Sequence, residues 1–313
     1  MLSLFLGAGF SKWAMNLPLA SELFDFQIDP WGREEIRKLE PAQRIKIAWW
    51  DQAHPNGLAE QFIADALALG GKPRDVILWY IVRKLSDPFI WREYHAGRRR
   101  RHVLMIDEKR KYQISGMEKT TRFLQGFGND LAGIATTNYD MVVEYALGTK
   151  GFHYGSPGEV LKGRGAYPLS EWTNPITLKG RMPLAKIHGS ISWDEQNHYT
   201  DGRRGLTGNA LIVAPTPEKQ PPSELIPEWE LAADIIAGSH ALLVLGFAFN
   251  PYDEAVLNLL QSAGGNLRKV LLVDPAPQID RARRLWPHAV VEACSPPPDG
   301  TSEIDDWLKQ GNR

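Results

Sequence analysis

The sequence predicts an α/β fold, a parallel sheet with crossover helices and a mainly helical insertion. Three observations predict it. Apolar runs recur along the chain, most are followed by a turn and a helix-like pattern, and one long stretch between two such runs carries helical spacing alone. Two runs, Ala241-Leu242-Leu243-Val244-Leu245 and Lys269-Val270-Leu271-Leu272-Val273, are apolar almost throughout, as a strand covered on both faces requires. Glycines and polar residues follow the strand ends, and ligands of open α/β sheets lie beyond those carboxyl ends.

Taken in order, the first strand spans residues 2–6 and runs straight into Gly7-Ala8-Gly9-Phe10-Ser11-Lys12. From residue 19 to about 129 strand signals are missing, and helical spacing recurs at Ala42 to Asp51, Leu58 to Leu69 and Val76 to Leu85. Trp49, Trp50, Trp79 and Trp91 fall there, and bulky aromatics at such spacing are expected in a core. Strand patterns return at 132–136, 209–214, 241–246, 269–273 and 289–292, with helices over 141–147 and 301–310. The stretch 151–208, rich in Gly, Pro, Asn and Asp, reads as loops around short strands. The expected organisation is one domain over 1–313: a core from about 1–18 and 130–313, with the insertion at about 19–129.

Composition narrows the classes. At 313 residues, 43% hydrophobic and 23% charged, the chain is ordinary for a well-filled globular core. A formal net charge of −1 argues against nucleic acid or an acidic membrane as a partner of the whole surface. No run is long and apolar enough to span a bilayer, and a strand beginning at residue 2 leaves no room for a leader, so a cytoplasmic protein is expected. The single cysteine, Cys294, rules out an intrachain disulfide and a multi-cysteine zinc module, and reads as a small buried residue. Arg98-Arg99-Arg100-Arg101-His102 is a local basic run, either a phosphate-backbone contact or a solvated loop or interface cluster.

Four segments can carry chemistry. Gly7 to Ser11 reads either as a diphosphate loop, with Ser11 as an added donor, or as a tight strand-to-helix turn capped by Ser11. The Gly-X-Gly-X-X-Gly fingerprint is incomplete because Lys12 stands at its last position, and no Gly-Lys-Ser/Thr follows to make a P-loop. In Thr136-Thr137-Asn138-Tyr139-Asp140, Asn138 can donate and accept at once, which suits a sugar hydroxyl or a water; the alternative is that Asn138 or Asp140 caps the next helix. His188 lies in Lys186-Ile187-His188-Gly189-Ser190, at a strand edge where a histidine is either a general base or a satisfied structural residue. Gly246-Phe247-Ala248-Phe249-Asn250 repeats the glycine turn at another strand end. Asp253 can cap the following helix or face the site, and Asp274 can hold a ribose diol or close a turn with Pro275.

In this order the four segments resemble the sirtuin superfamily: Gly-Ala-Gly-Phe-Ser at 7–11, Thr-Thr-Asn-Tyr-Asp at 136–140, Ile-His-Gly-Ser at 187–190, and Gly-Phe-Ala-Phe with a following Asp at 246–253. The resemblance implies an NAD-binding, Rossmann-like domain that breaks the nicotinamide–ribose bond. It makes Asn138 the residue that orders the ribose and a water, His188 the catalytic histidine and Asp140 a holder of the nicotinamide carboxamide. Gly7, Ala8, Gly9, Phe10, Ser11, Gly246, Phe247 and Asp274 then line the cofactor. Two departures matter: one cysteine cannot build the four-cysteine zinc ribbon of protein-deacylating sirtuins, and Gly246-Phe247-Ala248 replaces their Gly-Thr/Ser-Ser. The set is therefore more similar to the zinc-less, sirtuin-like NAD hydrolases of bacterial anti-phage defence.

The expectation that follows is an NAD hydrolase that takes NAD as substrate and needs no metal. Its partners would be NAD together with a second copy of the chain, a defence-system protein, or both, since NAD cleavage must be controlled. Two other classes share the motifs. A protein deacylase or ADP-ribosyltransferase would use another acceptor, and a non-catalytic sensor of NAD-derived nucleotides would need neither Asn138 nor His188.

Overall fold

In the computed structural model, residues 1–24, 40–86, 89–96, 99–106, 111–127, 131–147, 151–154, 182–194, 210–213, 223–296, 304 and 306–308 are described. Seven strands form one sheet: β1 (Leu2–Leu6), β4 (Leu131–Thr136), β5 (Phe152–His153), β6 (Met182–Lys186), β9 (Ala241–Leu245), β10 (Lys269–Val273) and β11 (Val290–Cys294). Their spatial order is β11-β10-β9-β1-β4-β6-β5, with every neighbouring pair parallel. The fold is thus α/β, as the apolar runs predict, and Rossmann-like, as the resemblance implies.

Every residue of β1 and β9 is buried. Successive side chains point to opposite faces, so both faces of the sheet centre are covered. The covering helices are α1 (Ala8–Met15), α5 (Lys111–Gly126), α6 (Val142–Leu147), α7 (Ile226–Ala237), α8 (Glu254–Ala263) and α9 (Ile279–Leu285). Helix α7 lies against β4 and β6. Its Ile235 packs where Gly133 has no side chain, so a Cβ there would come within 2.8 Å of the Ile235 side chain.

The chain path fixes where a ligand can sit. From β1 the strand order moves outward through β4 and β6 on one side, then returns to β9 on the other. The order reverses between β1 and β9, and the carboxyl ends of these two strands flank the switch-point crevice.

Between β1 and β4 lie α2 (Ala20–Leu23), a π-helical stretch at Arg44–Asp51, α3 (Ala59–Ala68), α4 (Gly71–Ser86) and the hairpin β2 (Phe89–Ala96) and β3 (Arg99–Ile106). The helices fall where the spacing puts them. The hairpin overturns the expectation that this stretch lacks strands. It pairs antiparallel from Phe89↔Ile106 to Ala96↔Arg99, and its sequence is rich in the aromatic and β-branched residues that favour extended backbone. Local pairing satisfies those backbones without a place in the main sheet. Arg99 to His102 therefore lie on a strand, and Arg98 lies outside the described residues.

Three more expectations are corrected. Residues 210–212 form β8, which pairs antiparallel with β7 (Gly189–Asp194) rather than joining the parallel sheet. Trp50 is core at 1% exposure, but Trp49 is 43% exposed, because neighbouring positions on a helix point to different sides. Cys294 is half-buried, since it ends the edge strand β11. Of the expected C-terminal helix, residues 304 and 306–308 are helical and the others lie outside the described residues.

Candidate active site

The residues singled out by sequence gather at one edge. Gly7 follows β1, Asn138 follows β4, His188 follows β6, Gly246 follows β9 and Asp274 follows β10. These five strands are parallel and consecutive in the sheet, so all five ends open on the same side.

The glycines bring two loops together. The Gly7 amide donates to the Leu245 carbonyl at 3.0 Å and the Gly9 amide to the Gly246 carbonyl at 2.9 Å. A Cβ on Gly7 would lie 2.5 Å from the Gly246 oxygen, and one on Gly9 would lie 2.6 Å from the Gly246 Cα. Gly246 itself has φ +65, and a side chain there would reach within 2.2 Å of the Phe10 nitrogen. Backbone meets backbone across the switch point, which no larger residue permits. Ala8 is exposed at the first position of α1.

Behind this contact lies a buried polar network. Ser11 is 2% exposed, Asn138 7% and Asp140 6%. The Asn138 Nδ2 donates to the Gly7 carbonyl and to Ser11 Oγ, both at 2.9 Å, and Ser11 Oγ donates to Asp140 Oδ2 at 2.7 Å. Asp140 Oδ1 accepts from the Val142 amide at 2.9 Å, so the capping alternative for Asp140 is realised at the start of α6. Ser11 does not cap α1, and its one proton is committed to Asp140. Thr136 Oγ1 donates to the Leu6 carbonyl at 2.9 Å and accepts from the Asn138 amide at 3.0 Å, stitching the same two loops one residue deeper.

His188 sits across from this network. Its carbonyl accepts from the Val213 amide at 3.0 Å, and Gly189 at φ +81 makes the turn that lets the Leu211 carbonyl approach. Burial holds its pKa well below the ordinary 6.5, at about 4, against a hydrogen bond to the Thr137 backbone that acts the other way. A neutral imidazole is therefore its resting form near pH 7. Its ring lies 6.2 Å from that of Tyr139, whose hydroxyl donates to the Val213 carbonyl at 3.0 Å. Burial above all, then the charges of Asp253 and Glu60, push the Tyr139 phenol up.

Asp253, which the sequence leaves either capping the following helix or facing the site, does not cap it. It stands at the start of α8, and its buried Oδ1 has no hydrogen-bond partner among the described residues. Burial, then the Glu60 carboxylate on α3, push its pKa up to about 7. Asn250 Nδ2 donates to Glu60 Oε1 at 3.2 Å, and the Tyr252 hydroxyl donates to Gln61 Oε1 at 3.3 Å. The helical stretch thus docks on the loop after β9. Nothing in the spacing near Asp253 signals this, because Glu60 comes from the other side of the fold.

The β9–β10 side offers fewer polar side chains. Phe247 is 5% exposed, with its ring edge-on to Phe5 at 5.0 Å, and Phe10 is fully buried beside Trp13. Both rings are core, which leaves their backbones to face a ligand beyond the strand ends. Asp274 Oδ1 accepts from the Ala276 amide at 2.8 Å, the turn-closing alternative at that position. A cavity of about 360 Å³ opens further out, between α8 and α9, lined by Phe249, Leu257, Gln261, Arg281 and Arg284. It does not include Asn138 or His188. Among the described residues no group of three or more His, Cys, Asp or Glu is arranged to hold a metal, and no helix is long and apolar enough to cross a membrane.

No family model matches this chain, and no curated protein matches it. Among solved structures it is similar to one on the mechanism and regulation of Sir2 enzymes, at 13% identity and TM-score 0.43, covering 99% of this chain and 92% of that one. It is also similar to Sir2Tm bound to a propionylated peptide, at 13% identity and TM-score 0.39, covering 100% and 93%. A third is Sir2 with a p53 peptide and NAD+, at 12% identity and TM-score 0.38, covering 100% and 93%. The α/β assignment rests on the strand order itself.

Proposed function

We propose that the protein is an NAD glycohydrolase, which cleaves NAD with water into nicotinamide, ADP-ribose and a proton. The observation that carries this reading is the pairing of Asn138 and His188 at the ends of the adjacent parallel strands β4 and β6, beside the β1–β9 switch point. The ordered motif set at 7–11, 136–140, 187–190 and 246–253 supports it.

The chemistry asks little of a protein beyond position and electrostatics, because the pyridinium leaves as neutral nicotinamide. The diphosphate would lie at the amino end of α1, where the exposed Ala8 offers an amide and the helix dipole favours negative charge. Gly7, Gly9 and Gly246 would shape that entrance through their loop contact, with Phe10 and Phe247 acting through backbone and core packing. Ser11 would act through Asn138 and Asp140, whose side chains it links. Asp140 has further lone pairs on its two oxygens with which to accept from the nicotinamide carboxamide. Among the described residues no donor reaches Asn138 Oδ1, which would hold the attacking water or a ribose hydroxyl. His188, neutral at rest, would take the proton from that water or hydroxyl as the glycosidic bond breaks. Asp274 would retain one carboxylate oxygen for the adenosine ribose.

Residues of about 19–129 form, in this reading, a regulatory insertion in a core made of about 1–18 and 130–313. Its support is the contact of Glu60 and Gln61 with the loop after β9. Control by self-assembly or a partner protein would let such an enzyme serve as an NAD-depleting effector of bacterial anti-phage defence.

The test is incubation with NAD and no acylated peptide, with nicotinamide and ADP-ribose resolved by chromatography. Equimolar products are expected from the wild type, and a loss of about 10²–10⁴-fold in rate from His188→Ala. Undiminished turnover by His188→Ala, or nicotinamide released only when an acylated peptide is added, would overturn the reading.

A further inference from the structure

Lys186, the last residue of β6, is a buried cation that the proposed chemistry does not use. Its side chain and that of Glu144 are each 1% exposed, and Nζ donates to Glu144 Oε1 at 2.7 Å. Glu144 also accepts from the Tyr154 hydroxyl at 2.9 Å. The same ammonium donates to the main-chain carbonyl of Asp140. Asp140 is the residue whose carboxylate holds Ser11 and the start of α6, two positions after Asn138. Lys186 is two positions before His188, and its own amide is held by Glu228 Oε2 at 3.3 Å.

A buried ion pair is weak evidence for stability, because desolvation offsets most of the Coulomb gain, and apolar residues of the same volume often serve as well. What an apolar pair cannot supply is a donor to the Asp140 carbonyl. Besides that donor, the loop carrying Asn138 is tied to β1 through Ser11 and Gly7. It is tied to the chain just after β6 through the His188 ring on the Thr137 backbone and the Ser190 hydroxyl, which donates to the Tyr139 carbonyl at 3.3 Å. At Asp140 itself the link to the end of β6 is Lys186. We infer that Lys186 is a positioning residue, whose ammonium joins the Asp140 peptide to the end of β6 and so fixes the Asp140 end of the loop that His188 holds at Thr137, keeping Asn138 in place between them. For its effect on turnover the inference rests on the NAD-cleaving reading; for its effect on loop order it stands alone.

The experiment compares wild type, Glu144→Gln, and the double variant Lys186→Met/Glu144→Gln by thermal unfolding, by hydrogen exchange of the 137–142 segment, and by nicotinamide release. The double variant leaves no unpaired buried charge, and the amide that Glu144→Gln introduces can still accept from the Tyr154 hydroxyl. Positioning predicts that it melts close to wild type yet exchanges about tenfold faster over 137–142. Its kcat should fall about 10²-fold with the NAD KM within about threefold. Glu144→Gln, which keeps the Asp140 donor but leaves the buried ammonium without its counter-charge, should melt lower than wild type yet retain kcat. A double variant with wild-type protection and kcat would overturn the proposal, as would one that fails to fold while Glu144→Gln folds. If the wild type releases no nicotinamide, the NAD reading falls while the exchange comparison still decides the role of Lys186.

Discussion

The two halves of the sheet's carboxyl edge are built from different materials. On the β1–β4–β6 side, Ser11, Asn138, Asp140, Lys186, Glu144 and His188 are all buried polar groups. The first five are joined by side-chain hydrogen bonds. On the β9–β10 side, Phe247 and Phe249 fill the core and Asp274 closes its own turn. Buried polar networks raise the stakes of every member, since each unmade bond costs more than it would in water. Aromatic packing holds a shape and asks for no particular protonation state. Under the proposed NAD-cleaving reading, the first side would carry the reaction and the second would support the fold or hold the cofactor.

Substitutions can break this contrast, beginning with the seam between the halves. Gly246→Ala puts a side chain at φ +65 and within 2.2 Å of the Phe10 backbone nitrogen. The backbone must move, and a loss of about 3 kcal/mol or more is expected in denaturant unfolding. A change below about 0.5 kcal/mol would mean the two loops are not in contact. Ser11→Ala comes next. It leaves Asp140 and Asn138 each short of a buried partner, for an expected loss of about 1–3 kcal/mol.

The smallest effect sharpens the comparison through pH, because the two sides carry opposite signs. His188, held at about 4 rather than 6.5, stays neutral in the folded protein while the unfolded chain takes up a proton. Its contribution is present above about 6.5 and fades as pH falls towards 4. Asp253, raised from 3.8 to about 7, keeps its proton in the folded protein, so its contribution is present at low pH and fades as pH rises towards 7. The two slopes offset one another in the wild type. Melting temperatures at about pH 4.5 and about pH 6.5 should show His188→Gln gaining relative stability at the lower pH, and Asp253→Asn gaining it at the higher. Parallel shifts in the two variants would show that neither group is buried as described.

Much of this was legible in the sequence where the signal is local. Strands β1, β4, β9 and β10 announce themselves because both of their faces are covered, and the polar residues that follow them mark one edge. What was hidden is long-range. Gly7 and Gly9 look like a phosphate loop until their partner Gly246 appears from the far end of the chain. Lys186 looks like an ordinary strand-end cation until Glu144 and the Asp140 carbonyl are brought against it. The short β6 enters the sheet beside β4 with only three paired positions, too few to announce a central strand. The hairpin at 89–106 carries its own pairing and so leaves no trace in the pattern of the main sheet.

The most direct test sets one residue from each half against the other in initial rates of nicotinamide release from NAD. Asn138→Ala should lose about 10²-fold or more in kcat, whereas Asp274→Asn should alter the NAD KM by less than about tenfold and leave kcat nearly unchanged. Equal losses of kcat in both variants, or a normal kcat in Asn138→Ala, would contradict the assignment of the reaction to the β1–β4–β6 side.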